Sequence, residues 1–172
     1  MITTTLLDAI LSQYELPWQG IHGISHWARV LENGRRLARL TGAKLEVVEL
    51  FAIFHDARRL NERRDDEHGR RGAELAARLR GAYFTLSDAD FKLLETACIY
   101  HTAGLTEAEI TIQTCWDADR LDLLRSGIRP APRYLCTPAA KDPAMLSWAN
   151  KRSGEYHVPA LVQTEWGLEL GW

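Results

Sequence analysis

Leu50-Phe51-Ala52-Ile53-Phe54-His55-Asp56-Ala57-Arg58-Arg59 is the stretch that decides how this chain folds. From Val47 to Phe54 the sequence is apolar almost all round, the pattern of a helix buried on every side. That run ends on a histidine and an aspartate set side by side. An unpaired carboxylate buried there would cost several kcal/mol. A bound metal ion would offset the cost and use both residues, provided other ligand-type side chains converge on the pair.

Outward from this stretch the periodicity is helical throughout, with no convincing alternating strand, and predicts an all-α bundle of about six to seven helices. A first helix spans 4–14 and stops at Pro17. A second starts near Ser25, a candidate N-cap, and ends at Gly42. The central helix runs from 44 to 60. The fourth, 67–80, turns His68, Gly72, Leu75 and Leu79 inward after the charged turn Arg63-Arg64-Asp65-Asp66, whose aspartates suit a helix start. Ser87 with Asp90 caps a fifth, to 102, with Phe91, Leu94, Cys98 and His101 on its inner stripe. Thr106 with Glu109 repeats the capping pattern for a sixth, which carries Trp116-Asp117-Ala118-Asp119-Arg120-Leu121-Asp122 and ends near Gly127. Residues 126–138 read as a long loop, Thr137-Pro138 opens a last helix to about 150, and the tail from 151 has no assignable element. The tail's tryptophans, Trp166 and Trp172, imply packing on the same domain or on a second copy of the chain, a homodimer.

The totals set bounds. The 172 residues suffice for one domain with a real core. A net charge of −2, with arginines scattered, argues against a long nucleic acid but not against a small phosphorylated ligand. No apolar run approaches a membrane span, and the N-terminus lacks the pattern of a signal peptide, so a cytoplasmic location is expected. Three cysteines without CxxC spacing suggest neither a disulfide framework nor a cysteine zinc site.

The histidines carry the chemistry. Four of the six, His26, His55, His68 and His101, fall on or near helices. One inward histidine is usually a satisfied core residue; four, with Asp56 beside one of them and Asp119 further on, suit a first-row metal ion. The order His26 … His55-Asp56 … Asp119 resembles the HD superfamily of metal-dependent phosphohydrolases. Ser25-His26-Trp27-Ala28-Arg29-Val30, Phe54-His55-Asp56 and Ala118-Asp119-Arg120-Leu121 are the blocks that carry the likeness. It spans residues 20–127, within an HD-type core of 1–127; residues 128–172 would add a loop, a short helix and a tail packed on the same domain.

The resemblance implies a metal held among the central helices by His26, His55, Asp56 and Asp119. The ion would be divalent, one of Mn, Co, Ni, Mg, Fe or Zn. Asp117 and Asp119 compete for the last position, since two residues apart on a regular helix they point about 200° from each other; the family pattern selects Asp119. The loser would be a helix-surface residue or a partner to a histidine. HD proteins with two metals carry extra histidines in the order of His68 and His101. Here the gaps are 12 and 33 residues, and the shorter favours one ion, with His68 and His101 lining the pocket as substrate ligands or acid/base groups. Two ions remain the alternative.

Arg58 and Arg59 follow His55 at i+3 and i+4, so one of them can sit beside the metal and bind phosphate, Arg58 being the candidate for catalysis alongside Asp56 and His101. Arg59, Arg120 and His22 are further candidates near the substrate. The implied activity is hydrolysis of a small phosphorylated substrate, a nucleotide or nucleoside phosphate. The alternatives are a two-iron HD-type oxygenase and a non-catalytic, metal-holding nucleotide-binding module.

Overall fold

A computed structural model describes residues 2–170, and Trp172 lies outside that range. Among the described residues the chain is all helical, with no strand beyond an isolated bridge between Arg80 and Phe84.

α1 (Thr4–Leu11) is capped by the Thr3 hydroxyl, which accepts from the Leu6 N–H, and buries Leu6, Leu7, Ile10 and Leu11. α2 (Ile24–Thr41) starts after Gly23 rather than Ser25, and Gly42 closes it at φ 75°. That left-handed turn suits glycine. α3 (Leu45–Phe54) buries every residue from Val47 to Phe54. It stops six residues short of the expected end. After Phe54 the backbone tightens into i→i+3 bonds, Ala57 N–H to the Phe54 carbonyl (3.2 Å) and Arg59 N–H to the Asp56 carbonyl (3.3 Å).

α4 (His68–Leu79) follows Glu67, with no side-chain cap from Asp65 or Asp66. Its glycines set its distance from the centre: a Cβ on Gly72 would collide with the Phe54 carbonyl oxygen, and one on Gly69 with that of Cys98. α5 (Asp88–Tyr100) has the expected Ser87 cap. α6 (Ile110–Arg120) is capped by the Glu109 side chain, not from Thr106. A 3-10 turn (Leu123–Ser126) ends at Gly127.

The expected last helix is split. α7 (Pro138–Lys141) is capped by Thr137, and α8 (Pro143–Gly154) begins anew because Pro143 has no N–H to continue the ladder. The Asp142 carboxylate accepts from the N–H groups of Ala144 and Met145. α9 (Leu161–Thr164) is a single turn.

α2, α3, α5 and α6 pack around one another, with α4 against α5 and α3. Ala140, Met145, Ala149, Leu161, Val162 and Trp166 belong to the same buried cluster as Trp27, Phe51 and Trp116. Trp166 therefore packs on its own chain.

Candidate metal centre

The ligand-type residues stand at helix ends. His26 is in the first turn of α2, His55 caps α3 with Asp56 next to it, His68 opens α4, His101 caps α5, and Asp119 is in the last turn of α6. Adjacent residues on a regular helix point about 100° apart. His55 and Asp56 nonetheless border one centre, with His55 Nε2 3.7 Å from Asp56 Oδ2. His26 and His55 are fully buried, Asp56, His68 and His101 nearly so.

Two groups form around Asp56. On one side, His26 Nε2 lies 3.0 Å from His55 Nε2, 3.4 Å from Asp56 Oδ2 and 3.4 Å from Asp119 Oδ1. His55 Nε2 is 3.7 Å and 3.8 Å from the same two carboxylate oxygens. On the other side, His68 Nε2 lies 2.9 Å from His101 Nε2, and the two stand 3.1 Å and 3.8 Å from Asp56 Oδ1. His26, His55 and Asp56 make one set with ligand geometry; Asp56, His68 and His101 make another.

Each histidine is held from behind. His26 Nδ1 faces Asp122 Oδ2 at 2.7 Å, His55 Nδ1 the Phe51 carbonyl at 3.1 Å and His101 Nδ1 the Cys98 carbonyl at 2.7 Å; His68 Nδ1 bonds the Asp65 carbonyl. Carbonyls and carboxylates only accept, so every Nδ1 carries the hydrogen. A neutral ring then turns a bare lone pair inward at Nε2. Two such lone pairs about 3 Å apart repel unless a cation or a proton lies with them. Burial pushes His55 down to about 3, so it is neutral at pH 7. His101 differs: burial would lower it, but the nearby Asp56 and Asp119 carboxylates raise it instead. Burial alone would also raise the carboxylates. The surrounding histidines, with the Arg125 and Arg29 guanidinium groups beside Asp119 and Asp122, outweigh it and hold Asp56, Asp119 and Asp122 low. Ionised carboxylates and imidazole lone pairs, inward and desolvated, fit a first-row divalent ion.

Of the competing aspartates, Asp119 is the one at the histidines. Asp117 is neither exposed nor near a histidine. Its carboxylate is fully buried and accepts from the N–H groups of Cys136 and Thr137 (2.7 and 2.8 Å) and from the Thr137 hydroxyl (2.8 Å). It anchors the C-terminal segment.

The arginines are redistributed. Arg58 points away from the centre, to the Gln13 carbonyl and to Glu15 (3.1 Å). Arg59 reaches the centre, its Nε donating to Asp56 Oδ1 at 2.9 Å. Arg120 also faces away. It donates to the carbonyls of Tyr134 (2.9 Å) and Leu105 (2.7 Å), tying the loop after α6 to the one before it. His22 is buried beside His26, ring centroids 6.3 Å apart, with Nδ1 at 2.5 Å from Glu62 Oε2.

Three residues not singled out from the sequence complete the surroundings. Asp122 binds His26 and also receives Arg29, whose Nε and Nη2 donate to its two oxygens at 2.7 and 3.0 Å. Arg125 is buried with Nη2 at 3.9 Å from Asp119 Oδ1. Spacing held a trace of this: Asp122 is three residues past Asp119, and Arg29 three past His26.

The chain matches no family model, no curated protein and no solved structure. No helix among the described residues is long and apolar enough to cross a membrane.

Proposed function

We propose that this chain is an HD-type, metal-dependent phosphohydrolase with two adjacent ion positions, acting on a small phosphorylated substrate such as a nucleotide. One observation carries the reading: four histidines donate through Nδ1 to fixed acceptors and turn Nε2 inward in two pairs, with one oxygen of Asp56 facing each pair. Metal-ligating histidines are held in this way. The 12-residue gap that favoured a single ion does not keep His68 away from Asp56, so the second ion position is preferred here.

His26, His55, Asp56 and Asp119 would hold one ion; Asp56, His68 and His101 the other. When bound, divalent ions supply an activated water and charge neutralisation for phosphoryl oxygens. The rest falls to the protein. Arg59 fixes the Asp56 carboxylate between the two groups. Asp122, steadied by Arg29, holds the proton on His26 Nδ1 and so keeps Nε2 free. Where no ion occupies the second group, His101, the histidine whose basicity is raised, can hold a proton at Nε2 beside Asp56. Burial of the centre excludes bulk water.

The same pair of groups suits two irons, so an oxygenase is the second reading. Metal analysis and a panel of phosphorylated substrates with added Mn, Co, Ni or Mg separate the two. Phosphate release that disappears in His55→Ala supports the hydrolase. Bound iron with O₂ consumption and no phosphate release supports the oxygenase. Metal retention with neither activity leaves a binding module.

A further inference from the structure

Beside the first turn of α2 lies a cavity of about 170 Å³, walled by Gly20, Ile21, Ser25, Arg29, Arg125 and Tyr156. It equals the space of about five or six waters at roughly 30 Å³ each, room for one phosphate-sized ion. Two of its walls are buried guanidinium groups. Arg29 is fully engaged, by Asp122 and by the His157 carbonyl (2.8 Å). Arg125 is not. Its Nε donates to the Ile21 carbonyl (2.7 Å) and its Nη1 to the Asp122 carbonyl (2.9 Å), but Nη2 makes no hydrogen bond among the described residues. The Ser25 hydroxyl and the backbone N–H groups of Ser25 and His26 also find no acceptor among the described residues. The Tyr156 hydroxyl donates to the Arg125 carbonyl (3.3 Å) and closes the wall.

The nearby carboxylates set the balance. Asp122 answers Arg29, and Asp119 stands 3.9 Å from Arg125 Nη2. A cation at the histidines would claim Asp119 and leave Arg125 only Asp122, 3.7 Å from its Nη1 and already shared with Arg29 and His26. Unpaired donors from the half-buried Ser25 and the buried His26 backbone, with an arginine in a small cavity, are the recognition chemistry of an oxyanion.

We infer that this cavity is a seat for a phosphate group, held by Arg125 and Ser25 at the start of α2. The inference deepens the function proposed above by giving the substrate's phosphate a place beside Asp119. Its role rests on that reading, but the anion binding does not, and it can be measured without metal.

The 172-residue chain, stripped with a chelator, is titrated calorimetrically with inorganic phosphate. Wild type binds phosphate saturably. Ser25→Asp, which puts a carboxylate in the cavity, weakens binding about tenfold or more. Its thermal midpoint is at or above that of wild type, because a carboxylate in the first turn favours the helix. Ser25→Ala, which adds no charge, stays within about threefold, and Asp119→Asn tightens binding about threefold to tenfold. No saturable binding by wild type, or wild-type affinity in Ser25→Asp or Asp119→Asn, overturns the proposal. Phosphate binding in a chain that takes up no metal sinks the metal reading and leaves this one standing.

Discussion

The two histidine pairs look alike and are supported differently. His26 is backed by a carboxylate, Asp122, itself clamped by Arg29, and its group includes a second carboxylate in Asp119. His68 and His101 are backed only by backbone carbonyls and share Asp56 as their one carboxylate. The first pair thus has more negative charge to offer a cation. The second has another way out: the raised basicity of His101 lets a proton quiet the facing lone pairs. We therefore expect a tighter ion at the first pair and a weaker, more proton-sensitive ion at the second.

The largest effect breaks both groups at once. Asp56→Asn should cost both ions and lower phosphate release at least about 10³-fold, several kcal/mol of metal-derived stabilisation. Elemental analysis and a phosphate assay on the same sample check it; retained activity would remove Asp56 from the site. Asp122→Asn acts on one pair only. The first ion should bind about 10- to 100-fold more weakly while the second is unchanged, read by competition with a metal indicator.

Acid is a third probe, best read on metal-free protein. Burial holds both His22 and His55 at about 3, far below 6.5. Between these limits the unfolded chain binds more protons than the folded one, so stability falls as pH drops from 6.5 towards 3. The loss is on the order of 1 kcal/mol per pH unit for each such group at full effect. His101, shifted upward, works the other way only above 6.5, where its stabilising proton is lost as pH rises. Denaturant unfolding at pH 7 and pH 5 should show the lower stability at pH 5; equal stability would mean these rings are not buried neutral. The smallest effects lie outside both pairs. Arg120→Ala should destabilise by about 1–3 kcal/mol through its lost loop hydrogen bonds, with metal content unaltered. Arg58→Ala should cost less than about 1 kcal/mol and leave activity intact.

How legible each part was follows from the range of the forces involved. The apolar run of α3 and the Ser87 cap are local patterns, and they read correctly. The convergence of His26, His55, Asp56 and Asp119 could be expected because each sits in a recognisable block. The break at Asp142-Pro143 was local as well, yet the capping pattern at Thr137 masked it. Arg58 and Arg59 could not be ranked, since helical spacing fails where the backbone tightens after Phe54. Asp117 and Arg120 hold chain segments that are distant in sequence, at Cys136, Thr137 and Tyr134, and no period reports such contacts. The clamp of Arg29 on Asp122 spans 93 residues and was hidden for the same reason.

Metal counting tests the central claim most directly. The purified chain is loaded with Mn²⁺ or Fe²⁺, freed of excess ion and analysed for metal per chain, beside His68→Ala. The account predicts two ions in wild type, one for each group, and one in His68→Ala, held by the His26 pair. One ion or none in wild type, or an identical count in His68→Ala, would contradict it.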